Sequence, residues 1–166
     1  TVFIELAYNI MRINGCMTMI VPISLTSSDS LSGVHNILKS KCDDIYISSY
    51  AVRPQPVFKN AMVNTSILAF RKTGKPCSGI YATKMYRKGK NFNLQMLVEH
   101  LQFVEVKELM LFGRIPKISL EMEKDILKKL SGCDKLKSYV RESGTAVYYR
   151  FAGGRYFKVV TNYSTG

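Results

Sequence analysis

The feature that most limits the fold is the uncharged run Met17-Thr18-Met19-Ile20-Val21, closed by Pro22. An apolar run this short, ended by a residue that cannot donate to a ladder, predicts a buried strand. Ahead of it Phe3, Leu6, Ile10 and Ile13 recur at helical spacing, and Asn14-Gly15 supplies a stop. A helix followed by a buried strand is the α/β pattern.

The pattern continues along the chain. Ser27, Ser28 and Asp29 are N-cap candidates for a second helix, whose apolar face is Leu31, Val34, Ile37 and Leu38. Lys39 and Lys41 suit its C-terminal dipole. Residues 45–50 and 64–71 predict two more strands, and Lys72-Thr73-Gly74-Lys75-Pro76 breaks the chain after them. Between those strands lies Arg53-Pro54-Gln55-Pro56-Val57-Phe58-Lys59-Asn60, which its two prolines keep out of regular structure. Such a loop at the edge of an α/β sheet is where function tends to be mounted.

Past Gly74 the texture changes. Residues 80–87 read as a strand bearing basic residues, Leu94, Leu97, Val98 and Leu101 as a helix, and residues 109–112 as a short apolar run. Ser119 caps a further expected helix, with Glu121 and Glu123 in its first turn, Lys128 and Lys129 in its last, and Gly132 just past its end. Residues 146–160 predict two aromatic-rich strands meeting at Gly153-Gly154.

Charge adds the first functional signal. The net charge is +12, and residues 45–98 hold no Asp or Glu while Arg53, Lys59, Arg71, Lys72, Lys75, Lys84, Arg87, Lys88 and Lys90 all fall there. Interleaved with aromatic Tyr81, Tyr86 and Phe92, these cations favour nucleic acid over a merely solvated face. Tyr148, Tyr149, Arg150, Arg155 and Tyr156 extend the same composition, though half-buried packing accounts for them at least as well.

Other chemistry is thin. No apolar run reaches the roughly 18 residues that span a bilayer, and the opening residues lack signal-peptide features, so a cytoplasmic location is expected. Thr1 opens directly into an amphipathic pattern, which suggests a fragment of a longer protein. Cys16, Cys42, Cys77 and Cys133 are too scattered for a zinc site and read as reduced, mostly packed thiols. His35 and His100 read as helix-surface residues, Glu5, Asp29, Glu99 and Glu105 as carboxylates without a pairing, and no metal site is expected.

Several segments resemble N6-adenine DNA methyltransferases of restriction-modification systems. Phe3-Ile4-Glu5-Leu6-Ala7, then Asn14-Gly15, then Met19-Ile20-Val21-Pro22 is similar to the family's F-x-E-x-A helix, glycine turn and V-x-V-P strand. Val57-Phe58, with Val63 and Ser66-Ile67-Leu68-Ala69-Phe70 following, resembles its V-F-x(4)-V-x-x-x-V-I segment. Ile115-Pro116-Lys117-Ile118 resembles segments that punctuate recognition regions, although an X-Pro turn before a capped helix explains it equally.

The resemblance implies the C-terminal half of a class I, Rossmann-like sheet with an antiparallel final strand over residues 1–75, and a mixed α+β target-recognition region over residues 76–166. It implies that Phe58 stacks on a flipped-out adenine, that Phe3 lines the adenine pocket of S-adenosylmethionine, and that Pro22, Ser24 and Thr26 lie near the active-site mouth. Arg53, Lys59, Lys72, Lys75, Lys84, Arg87, Lys88 and Lys90 would contact double-stranded DNA. The family's glycine loop, its ribose-binding acid and its N/D-P-P-Y/F tetrapeptide have no counterpart among these residues. The chain alone is therefore expected neither to hold the cofactor tightly nor to transfer a methyl group, and the missing N-terminal part of the same protein is an expected partner. A non-catalytic specificity module, or a methyltransferase acting on RNA or protein, is the alternative.

Overall fold

Helix α1 (Val2–Ile10) is apolar on two sides, and the side that packs is not the one expected from Phe3, Leu6 and Ile10. Ile4 and Ala7 are buried, with Tyr8 and Met11 half-buried beside them, whereas Phe3, Leu6 and Ile10 are 75%, 53% and 74% exposed. Both stripes satisfy a 3.6-residue period, so periodicity alone could not choose between them. The computed structural model describes residues 2–58, 60, 62–89, 93–110, 114–134, 148–150 and 156–158.

Asn14, in the left-handed region at φ 64°, turns the chain into strand β1 (Cys16–Pro22). A short helix α2 (Ser24–Ser27) and a single 3-10 turn (Asp29–Leu31) lead into α3 (Ser32–Lys41). Helix α3 thus starts later than its cap candidates suggested, and it has no side-chain cap. Its buried face is Val34, His35 and Leu38. Strand β2 (Cys42–Tyr50) begins without a break, and a register shift between Asp43 and Tyr46, with Asp44 at φ 49°, marks a bulge.

Strand β3 (Thr65–Lys72) returns between β1 and β2 and runs antiparallel to both, so β1 and β2 are parallel to each other. Strand β4 (Ile80–Tyr86) lies parallel to β2, and β5 (Val104–Glu105) closes the order β1-β3-β2-β4-β5. The described structure is therefore an α/β fold with a mixed five-stranded sheet. The boundary expected at residues 75 and 76 falls inside that sheet, because β4 and β5 extend it.

Helix α4 (Leu94–Glu99) stops before Leu101 and is capped by the Asn93 side chain. Helix α5 (Glu121–Ser131) opens with Glu123 accepting the Ser119 and Leu120 N–H groups, at 2.7 and 3.0 Å. Residues 1–128 form one compact unit and residues 129–166 another, in which β6 (Tyr148–Arg150) pairs antiparallel with β7 (Tyr156–Lys158). The expected Gly153-Gly154 turn lies outside the described residues.

The core lies on one face of the five-stranded sheet. Leu68, Ile45, Ile47, Ile80 and Val106 are wholly buried there against Leu25, Val34 and Leu38 from the helices. Each such side chain contributes about 1.5–3 kcal/mol on burial. The opposite face is barer: Ile20 is 58% and Tyr46 39% exposed, and Tyr46 stacks on Tyr81 at 5.0 Å.

Two polar residues depart from their expected settings. His35 is buried rather than on the helix surface, and its Nε2–H donates to the Leu25 carbonyl at 2.6 Å. Glu105 is paired, receiving the Lys107 N–H at 2.7 Å and lying 3.4 Å from Lys124 Nζ.

Candidate nucleic-acid interface and adjoining groove

Because β1, β2 and β4 run parallel, their carboxyl ends share one end of the sheet, where open α/β folds usually bind ligands. The proline-rich loop leaves β2 at this end and is tied down on both sides. The Asn64 side-chain oxygen accepts the Val52 N–H at 2.8 Å, and the Asn64 carbonyl accepts the Ile23 N–H at 3.0 Å. The Tyr86 carbonyl accepts the Ala51 N–H at 2.8 Å, and Gln55 forms a bridge with Lys88. The loop is thus hydrogen-bonded to the ends of β1 and β4 as well as to itself.

Phe58 sits on this loop half-buried, its ring meeting that of Tyr50 at 5.6 Å and 82°. Tyr50 is 3% exposed and in turn lies 6.2 Å from the Tyr86 ring, with Lys84 Nζ 5.7 Å from the Tyr86 centroid. Burial pushes the Tyr50 hydroxyl above its ordinary pKa, so it stays a neutral phenol. In the sequence the only signal for Tyr50 and Asn64 is an aromatic as the last strand residue and an Asx residue at the end of a proline-rich loop.

The basic residues divide between the two ends of the sheet. Arg53, Lys84 and Arg87 are exposed at the carboxyl end, near Lys88. Lys75 is exposed ahead of β4, roughly 20 Å from that end given the length of a seven-residue strand. Lys59 and Lys90, like Phe92, lie outside the described residues.

Lys72 has a different task from the one its charge suggested. Its ammonium donates to the carbonyls of Tyr8 and Met11, each at 2.8 Å, and lies 4.4 Å from the Tyr8 ring centroid. These carbonyls end α1, so Lys72 complements the helix dipole and is turned toward the protein rather than toward a ligand. Arg71 is likewise engaged, with Asp44 at 2.6 Å, although an exposed pair of this kind contributes little stability.

On the other side of the β1 end an open groove of about 250 Å³ is lined by Phe3, Ile4, residues 19–22, Ser24, Leu25, Leu31 and Val34. Phe3 is therefore an exposed wall of a groove, not a core residue. Thr26, by contrast, is buried, donating its hydroxyl to the Ile23 carbonyl at 2.9 Å while its own carbonyl accepts the Ile115 N–H at 2.9 Å. The groove's apolar walls fit a heteroaromatic ring. Among the described residues that line it, Ser24 is the sole hydroxyl and none is charged, so these residues do not fit the ribose and amino-acid portions of S-adenosylmethionine. Among the described residues, no three His, Cys, Asp or Glu side chains gather as a metal site, and no helix is long and apolar enough to cross a membrane.

No protein-family profile matches the chain, and no curated protein matches it. Among solved structures, a protein assigned as a modification subunit of a type I restriction enzyme from Vibrio vulnificus YJ016 is similar at 15% identity, with a TM-score of 0.40. The match covers 64% of this chain and 26% of that one, so the chain spans about a quarter of the similar structure's length.

Proposed function

We propose that this chain is the carboxyl-terminal part of a site-specific DNA N6-adenine methyltransferase of the restriction-modification type. Residues 1–75 supply strands β1 to β3 of the catalytic sheet, and residues 76–166, whose β4 and β5 extend that sheet, begin target recognition. The observation that carries the reading is Phe58: a half-exposed aromatic on a loop tied to two neighbouring strand ends, at the shared carboxyl end of the parallel strands, beside a rim of basic side chains. The antiparallel course of β3 agrees with the antiparallel final strand that the resemblance implies.

In this reading the work is divided. Arg53, Lys84, Arg87 and Lys88, with Lys59 and Lys90, bind phosphates and orient the duplex without reading its sequence. An adenine extruded from the stack loses a few kcal/mol of pairing and stacking. The Phe58 face returns roughly 1–3 kcal/mol of that. Lys75 reaches the duplex only if it extends along the sheet, and Lys72 is left out of the interface.

S-adenosylmethionine would supply the methyl group, and Phe3 would cover one side of its adenine ring. The described lining residues offer no side chains for the rest of the cofactor, and in this reading the glycine-loop half of the fold is supplied by another part of the protein. Three observations support such a half packing here: the apolar outer stripe of α1, the edge of β1 that has no strand partner among the described residues, and the exposure of Ile20 and Tyr46 on the second face of the sheet. A strand apolar on both faces is ordinarily covered on both.

The test is methyl transfer to duplex DNA by the intact enzyme. Phe58→Ala is expected to slow it by about 5- to 150-fold, the equivalent of the stacking energy. Unchanged turnover would remove Phe58 from the site. Salt-sensitive DNA binding with no methyl transfer in any context would leave a non-catalytic specificity module.

A further inference from the structure

The aromatic row Phe58, Tyr50 and Tyr86 joins the loop to strand β4. Tyr50 and Tyr86 are register partners on the second face of the sheet, and Phe58 meets Tyr50 nearly perpendicularly. Tyr50 is held on two sides: its backbone lies in β2 between β3 and β4, and its ring lies beside Tyr86. An edge-to-face aromatic contact is directional, and it adds about 0.5–1.5 kcal/mol beyond area burial. Among the described residues the loop's backbone anchors lie at Ala51, Val52, Gln55 and Asn64, none of them at Phe58 itself, and a backbone anchor does not set the side-chain torsions of a ring three residues away. The loop's path therefore does not by itself orient the Phe58 ring.

We infer that Tyr50 is a positioning residue that sets the plane of the Phe58 ring, with Tyr86 of β4 behind it. The inference rests on the proposed role of Phe58 for its functional consequence, though not for its geometry. Strand β4 then does more than carry phosphate-binding cations: through Tyr86 and Tyr50 it fixes where an extruded base is met. A Phe58 ring free to rotate would lose stacking affinity for the base while leaving the phosphate-binding rim untouched.

The chain contains no tryptophan, so Phe58→Trp introduces a single reporter. In that background the fluorescence anisotropy of the introduced indole is expected to stay high with Tyr50→Phe, which keeps the ring, and to fall with Tyr50→Leu, which keeps apolar bulk but not a ring edge. Unchanged anisotropy in a folded Tyr50→Leu variant overturns the inference. Should that variant fail to fold, ring-to-ring nuclear Overhauser contacts between Phe58 and Tyr50 in the unmodified chain decide: their presence supports the inference and their absence overturns it.

A second arm reads function, using a duplex with one 2-aminopurine opposite an abasic site. Tyr50→Leu is expected to bind it about 5-fold or more less tightly, while Tyr50→Phe and plain-duplex affinity are unchanged. If the indole loosens but the unmodified chain shows no preference for the 2-aminopurine duplex, Tyr50 still positions Phe58 and the adenine role fails instead. Equal weakening on both duplexes would show a general structural role and overturn the inference.

Discussion

Replacing Lys72 by methionine separates a structural lysine from a DNA-binding one. The substitution keeps most of the aliphatic stem and removes the ammonium that donates to the Tyr8 and Met11 carbonyls. A hydrogen bond to a charged group contributes about 1.5–3 kcal/mol net, and the helix-dipole attraction is largely the same electrostatics counted again. The contact with the Tyr8 ring adds about 0.5 kcal/mol at most, because Lys41 Nζ also lies 5.8 Å from that ring and remains. Taking the lower bound for a half-exposed group, Lys72→Met is expected to cost about 2 kcal/mol. In a chain this size that lowers Tm by about 4–8 °C. Thermal unfolding followed by circular dichroism reads the shift, and a titration of duplex DNA across salt concentrations reads the interface. Removing one lysine–phosphate pairing flattens the log–log salt slope by about 0.9. The expected result is a lowered Tm with an unchanged slope. An unchanged Tm with a slope flatter by that amount would refute the assignment and return Lys72 to the DNA face.

Arg87→Ala is expected to do the reverse, holding Tm within about 1 °C while flattening the slope by roughly 0.9. Asn64→Ala removes the acceptor for the Val52 N–H and so loosens the loop; a loss of about 1 kcal/mol is expected, with faster amide exchange at Val52 as the readout. In thiol labelling of the native chain, exposed Cys16 and Cys133 are expected to react quickly and buried Cys42 and Cys77 slowly. Burial pushes the Cys42 thiol up to about 11, so fast labelling of Cys42 at pH 8 would contradict the packing. Asp43, accepting from the Ser78 hydroxyl and N–H, and Glu123, accepting from the Ser119 and Leu120 N–H groups, are both held below their ordinary pKa values. The stability they contribute is present above the unfolded carboxylate pKa and is lost as pH falls through the lower folded values. An Asp43→Asn, Glu123→Gln chain should show a shallower acid limb in its stability–pH profile, and an identical limb would rule the two carboxylates out.

Much of the strand framework is legible in the sequence because its signals are local. The segments 64–71 and 80–87 fall within a residue or so of β3 and β4, whose hydrophobic alternation and flanking breakers are contiguous in the chain. Strand β2 begins earlier than residue 45 because the bulge at Asp44 lets pairing resume after an interruption that looks like a turn. Tertiary choices are not legible. Helix α1 offers two apolar stripes, and which one packs depends on where α3 and the sheet lie. His35 resembles a surface residue until the Leu25 carbonyl, ten positions away, is brought to it. Lys72 looks like one cation among many until β3 carries it to the end of α1. The break at Gly74 marks a change in composition, yet β4 pairs with β2 across it, since a sheet can continue wherever unpaired backbone remains. In the candidate site Phe58 is visible through its neighbours Pro54, Pro56 and Val57, whereas Tyr50, distant in the loop sequence, shows its part only through register.

The measurement closest to the central claim is the affinity of this chain for two duplexes, one plain and one with a single 2-aminopurine opposite an abasic site. If Phe58 receives an extruded adenine, the second duplex binds more tightly and its 2-aminopurine emission is quenched by stacking. Phe58→Ala then abolishes both the preference and the quenching while leaving plain-duplex affinity intact. Equal binding of the two duplexes, with Phe58→Ala indistinguishable from the parent, would contradict the account.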